Sequence, residues 1–188
     1  MTGTCSFYGT HVPTPMKFRF IRRWVQPIVI ALVIALGINQ YGIALSIVNG
    51  SSMAPTLQDG DRLLVNKFTP RFSPPKIGDV ITFEDPSHKG RYLVKRVIGI
   101  PGNTIEIKNG KLYRDGKVVE EPYVDTKIAD GDFGPIKVKK GTVFVMGDNR
   151  NRNASRDSRY ESVGLVSLKS IDGKVELIIW RPSLAAHL

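Results

Sequence analysis

Residues 24–58 contain no Asp, Glu, Lys or Arg. The first part of that run, residues 25–44, is almost wholly apolar and matches the ~20 residues a helix needs to cross hydrocarbon. It constrains the fold more than any other stretch, because a segment that must sit in lipid cannot share a core with the rest of the chain. Trp24 and Tyr41 lie near its ends, where amphipathic rings favour the interface. Residues 1–23 carry Lys17, Arg19, Arg22 and Arg23 and no acid, so this basic tail is expected on the cytoplasmic side and everything after about residue 45 on the other. A cleaved leader would want a shorter apolar core and a small-x-small site, which Ala44-Leu45-Ser46 imitates. A buried core helix would show polar residues at helical period, and these are nearly absent before Asn39-Gln40. One transmembrane helix over residues 24–45 fits best. No second run of that length follows, since Val175-Glu176-Leu177-Ile178-Ile179-Trp180 is strand-sized.

The 188 residues suffice for one domain of ordinary size with a small lobe inserted. A single cysteine, Cys5, excludes any intrachain disulfide. The net charge of +10 suggests nucleic acid or an anionic membrane face, but outside the tail the surplus is scattered through turns. A solvated basic surface is the better reading, with no nucleic-acid partner.

Beyond residue 50 the pattern changes to short alternating runs between turn residues, the mark of a mainly β domain over residues 46–188. Residues 61–66, 79–83, 93–98 and 142–146 read as strands. Asn109-Gly110 and Asp115-Gly116, flanked by alternating runs, predict two consecutive tight hairpins. Residues 102–142 are therefore expected to form an inserted β-hairpin lobe.

Chemistry enters where the uncharged stretch ends, in Asn49-Gly50-Ser51-Ser52-Met53-Ala54-Pro55-Thr56-Leu57. The three histidines, His11, His88 and His187, are poorly placed to activate a serine. If Ser52 is a nucleophile, a lysine is the natural base, and at neutral pH it must be buried to lose its proton. In Leu93-Val94-Lys95-Arg96-Val97-Ile98 strand alternation puts Lys95 on one face with Leu93 and Val97. Arg96, on the other face, keeps its charge in any environment. The plain alternatives are a turn capping a short helix at Ser52 and a lysine reaching to solvent from its strand.

A third run, Gly147-Asp148-Asn149-Arg150 followed by Ser155-Arg156-Asp157-Ser158-Arg159, supplies a hydroxyl and the charged residues to hold it. Together the runs resemble the type I signal peptidases, membrane-anchored serine proteases with a Ser-Lys dyad. Ser52-Met53-x-Pro55 is similar to the family's nucleophile box, and Gly60-Asp61-x-x-x-Val65-Asn66-Lys67 to the box after it. Lys95-Arg96-Val97-x-Gly99-x-Pro101-Gly102 and the Gly147–Arg159 run are similar to the last two, in the same order.

The resemblance implies a fold related to self-cleaving repressor domains, with Ser52 attacking a scissile carbonyl and Lys95 as general base. Ser155 would position the lysine amine, and Asp157 with Arg159 would hold the loop carrying it. The oxyanion would take the Ser52 N–H. Some relatives add a hydroxyl two residues earlier, where this chain has Gly50, so any second donor there is backbone or water. Val48, Met53, Leu57, Leu93 and Val94 match substrate-pocket positions. Residues 151–154 lengthen the spacing before Ser155, which keeps its role if they bulge outward. The implied substrates are preproteins with small residues at the first and third positions before the cut. No metal or cofactor is implied, and lipid is the other partner. The implied setting is a single-pass protein of a bacterial plasma membrane, with a thylakoid as the alternative. Ser52 lies so close to the expected helix end that an extended chain reaches at most roughly 26–29 Å. The rivals are a Ser-Lys self-cleaving repressor, which would need a DNA-binding domain, and a non-catalytic tethered β module.

Overall fold

A computed structural model describes residues 16–182, and side chains of 16–22, 35, 36 and 38–41 lie outside the described ones. Cys5, His11, His187 and most of the basic tail are therefore also outside. The chain divides into two units after Gln40.

The first unit holds all but the last residue of helix α1 (Met16–Tyr41), with Pro27 inside it. Its described apolar side chains, Trp24, Val25, Ile28, Val29, Ile30, Leu32, Val33 and Ile34, are all exposed. Among the described residues no helix is long and apolar enough to cross a membrane. The side chains that would complete the expected span over 24–45 are partly those outside the described set. The expected end of the helix is corrected: it stops at Tyr41, and Ile43–Ile47 forms strand β1. An apolar, β-branched sequence suits an edge strand as well as a helix in lipid, so hydropathy could not locate the change.

The second unit holds the remaining elements: β2 (Arg62–Asn66), α2 (Thr69–Phe72), β3 (Val80–Glu84), β4 (Tyr92–Gly99), β5 (Thr104–Lys108), β6 (Lys111–Arg114), β7 (Lys117–Val118), β8 (Phe133–Lys137), β9 (Thr142–Met146), β10 (Val166–Ser167) and β11 (Ile171–Trp180). They build a seven-stranded sheet ordered β1-β2-β11-β3-β4-β9-β10 and a four-stranded sheet ordered β7-β6-β5-β8. The expected hairpins are present. Asn109 and Gly110 have φ of 50° and 72°, Asp115 and Gly116 of 54° and 76°, the double left-handed geometry that these dipeptides adopt readily.

Strand β9 reads as an apolar run because both its faces are covered, and β4 shares that cover at Val97 and Ile98, although Lys95 and Arg96 interrupt its sequence. Ile98, Phe144 and Met146 join Ile105, Ile107 and Leu112 of the smaller sheet in one core. Val97, Val143 and Val145 join Ile81 and Phe83 in another. Burying each such side chain contributes about 1.5–3 kcal/mol. Lys95 lies between Leu93 and Val97, which both pack into the second core, so β4 delivers the amine from a rigid strand. A third cluster, Val48, Met53, Leu57, Leu63 and Val65, fixes the chain around residue 52.

Candidate active site

Two buried side chains, Met53 and Leu57, pin the loop that follows β1 to the core below it. Hydrogen bonds close the same loop across its base: Val48 N–H to the Asp61 carbonyl at 2.9 Å and Gly60 N–H to the Val48 carbonyl at 2.9 Å. Gly50, at a φ of +100° that glycine tolerates without strain, donates its N–H to Asp59 Oδ1 at 2.6 Å. Arg181, just past β11, bonds the Thr56 carbonyl at 2.9 Å and pairs with the fully buried Asp61 carboxylate at 3.0 Å. The loop is thus held from both sides with Ser52 at its surface.

Opposite it stands Lys95. Its Nζ is 2.7 Å from Ser52 Oγ and donates to the Val94 carbonyl at 2.8 Å. Only 2% of Lys95 is exposed. Burial is the main reason its pKa is pushed down to about 8; Arg156 and Arg91 act in the same direction, while Asp157 and Asp148 oppose them. A lysine of that pKa is neutral in a useful fraction of molecules near neutral pH and can accept a hydroxyl proton.

The loop after β9 braces this pair. Asn149 donates its N–H to the Ser52 carbonyl at 3.1 Å and its Nδ2 to the Ser51 carbonyl at 3.0 Å. Asp148, fully buried, accepts Arg96 Nε at 2.8 Å and Nη2 at 2.5 Å, a two-pronged pairing that positions as well as binds. Asp157 accepts Gly147 N–H at 3.1 Å, Ser155 Oγ at 2.9 Å, and Arg159 Nε and Nη2 at 2.8 and 2.9 Å. A Cβ on Gly147 would run into Ser155 Oγ and the Ser52 carbonyl, so only glycine fits there.

The family described as "Signal peptidase, peptidase S26" matches residues 21–180 of this chain. The chain belongs to the signal peptidase family. The "Signal peptidase I" of Bacillus licheniformis is 42% identical over 84% of this chain and 87% of its own length. "Signal peptidase I T" of Bacillus subtilis strain 168 is 43% identical over 84% of each chain. "Probable signal peptidase I-1" of Synechocystis is 38% identical over 75% of each.

In this signal peptidase family member, Ser52, Lys95, Ser155, Asp157 and Arg159 come together at one place, although Ser155 gives its hydroxyl to Asp157 rather than to the Lys95 amine. Residues 151–153 are exposed, and Ser155 is buried beside Gly147, so the longer spacing does bulge outward. The Ser52 N–H meets no acceptor among the described residues, whereas that of Gly50 is engaged by Asp59. A groove of ≈ 280 Å³ leads to Ser52 and Lys95, lined by Val48, Met53, Leu93 and Val94 among others. Leu57 does not line it and belongs to the core beneath. His88, the one histidine among the described residues, sits 3.4 Å from Asp85 in the β3–β4 turn. Sequence reasoning missed Asn149 as a brace of the Ser52 loop and Asp148 as the partner of Arg96. The adjacency of Asp148 and Asn149 to Gly147 was visible, but not the strands they would face.

Proposed function

We propose that this protein is a signal peptidase I, a membrane-tethered serine endopeptidase that releases N-terminal leaders from exported preproteins. The observation that carries this reading is the 2.7 Å contact between Ser52 Oγ and the Nζ of an almost fully buried lysine. Ser52 attacks the scissile carbonyl as its proton passes to neutral Lys95. The Ser52 N–H, which has no acceptor among the described residues, is the donor for the oxyanion in this reading. The lysine then protonates the departing amine, which becomes the mature N-terminus. Water, deprotonated by the same amine, hydrolyses the leader ester and regenerates Ser52.

The apolar side chains of Val48, Met53, Leu93 and Val94, set among polar neighbours such as Asn49 and Thr82 in a groove of limited volume, support small residues at the first and third positions before the cut. Strand β1 ends the larger sheet with one edge unpaired, and this supports a substrate strand adding along residues 45–49. The tether is α1, whose exposed side chains between Trp24 and Ile34 are predominantly apolar and whose sequence is uncharged after Arg23. Within the second unit, Ile43, Leu45, Ile47, Ile179 and Trp180 are also exposed, an apolar surface more stable against lipid than water. The basic tail faces the cytoplasm and the catalytic unit the opposite side, in a plasma membrane of bacterial type.

The test is preprotein processing by the full chain in liposomes, with the product's N-terminus sequenced. Ser52→Ala and Lys95→Ala should each abolish release; persistent cleavage by either would refute the dyad.

A further inference from the structure

The connection between β7 and β8, residues 119–132, leaves the smaller sheet and is bonded to the catalytic loop at several points. Glu121 accepts Arg150 Nη1 at 2.7 Å and Nη2 at 2.6 Å. The Arg150 side chain is 0% exposed and that of Glu121 9%. The Tyr123 hydroxyl donates to Glu121 Oε1 at 3.0 Å, and its ring centroid lies 4.0 Å from the Arg96 guanidinium carbon. Ala129 N–H donates to the Arg150 carbonyl at 3.1 Å. Asp130 accepts Asn153 N–H at 2.9 Å and Arg159 Nη1 at 2.7 Å.

Most of these contacts lead toward the reacting pair through one or two intermediate residues. Arg150 Nε donates to the Gly147 carbonyl at 2.7 Å, and Gly147 is the residue packed against the Ser52 carbonyl and Ser155. Arg96 follows the base on β4 and locks Asp148. Arg159 holds Asp157, which accepts the Ser155 hydroxyl. A guanidinium with no solvent contact is stable only with a carboxylate beside it, so Arg150 keeps its place through Glu121. Burial, and then the charge of Glu121, raise the Tyr123 pKa, so the phenol remains a donor through the whole working range.

We propose that residues 119–132 form an arm of the inserted lobe that positions the catalytic centre, with Glu121 as its principal positioning residue and Asp130 as the second. This rests on the Ser52–Lys95 reading given above. The bonded partners of Glu121 are Arg150 of the catalytic loop and Tyr123 of the arm itself, not a strand of the lobe, so loss of that carboxylate should be felt first at the site.

The experiment compares Glu121→Gln, Glu121→Asp, Asp130→Asn, Tyr123→Leu and Ser52→Ala in the full chain in detergent, on a peptide spanning a leader cleavage site. Thermal unfolding of each is recorded, and assays are run below the lowest midpoint. Glu121→Gln should lower kcat about 10- to 100-fold, since displacements of an ångström or less cost that much. KM should stay within about twofold and Glu121→Asp should recover part of the loss, a split that general loosening of the fold does not give. An unchanged kcat in Glu121→Gln overturns the proposal, as does a loss that only follows the folded fraction. Should Glu121→Gln fail to fold, Asp130→Asn and Tyr123→Leu decide: normal kcat in both overturns it. Cleavage surviving in Ser52→Ala defeats the dyad reading instead, whereas an inactive Ser52→Ala beside a fully active Glu121→Gln defeats this proposal alone.

Discussion

Lys95 and Arg96 are neighbours on β4, and the pleat sends them to opposite duties: the amine to Ser52 Oγ at 2.7 Å, the guanidinium to Asp148 at 2.8 and 2.5 Å. One cation is desolvated until it can shed its proton. The other is matched with a carboxylate so that it never does.

The first consequence is a pH profile. With Lys95 pushed down to about 8, the reactive neutral form is a minority below that value and loses about tenfold per pH unit further down. kcat/KM on a leader peptide should therefore climb with pH and level off above about 8. A profile that stays flat to pH 5 would contradict a neutral-lysine base.

The same burial has a stability cost with a defined sign. The Lys95 pKa is lower in the folded chain than the ordinary 10.5, so the unfolded chain binds more protons between about 8 and 10.5. Stability from this group accordingly rises with pH through that window, and the full penalty is felt below about 8. Lys95→Met should unfold at higher urea than the parent at pH 7, by an amount on the order of 3 kcal/mol, since each pKa unit is about 1.4 kcal/mol. Its advantage should shrink toward pH 10.5. An advantage equal at both pH values would mean that packing, not charge, is responsible.

How much of this was legible before the fold was known differs by residue. Strand alternation separated Lys95 from Arg96 and the histidines were poorly placed, but Ser52 and Lys95 could be picked out as a pair only through the resemblance of the ordered runs to those of the type I signal peptidases. The hairpins were legible because Asn-Gly and Asp-Gly tolerate positive φ where few other dipeptides do. The end of α1 was not, since Ile43, Ala44 and Leu45 suit lipid and a strand edge alike. Leu57 matched a pocket position yet faces the core, a distinction that depends on how the loop folds back over Val48. Pairings such as Glu121 with Arg150 join residues distant in sequence, and one sequence holds no record of which charges meet.

Removing one member of the Arg96–Asp148 pair should cost more than removing both. Asp148→Asn leaves a guanidinium, 11% exposed, facing an amide, and breaking a buried pair this way typically costs about 3–5 kcal/mol. The double variant Arg96→Met/Asp148→Asn should regain much of that loss, as read from urea midpoints in a four-protein cycle. Strict additivity would show that the pair is not coupled.

Gly147 offers the most discriminating substitution because its effect should be local. A methyl group there meets the Ser52 carbonyl, which is backbone, and Ser155 Oγ, which Asp157 already holds. Neither can yield as the end of a flexible side chain would, so the nucleophile loop itself must shift. Gly147→Ala should thus lower kcat by about 10²-fold, the penalty for an ångström-scale misplacement of reacting groups. Its circular dichroism should remain that of the parent, because the methyl points at the site and not into the cores flanking β4 and β9. Gly147→Ala with parental kcat would mean that the Ser52 loop tolerates displacement, and the close approach of Gly147, Ser155 and Ser52 would then have no catalytic consequence.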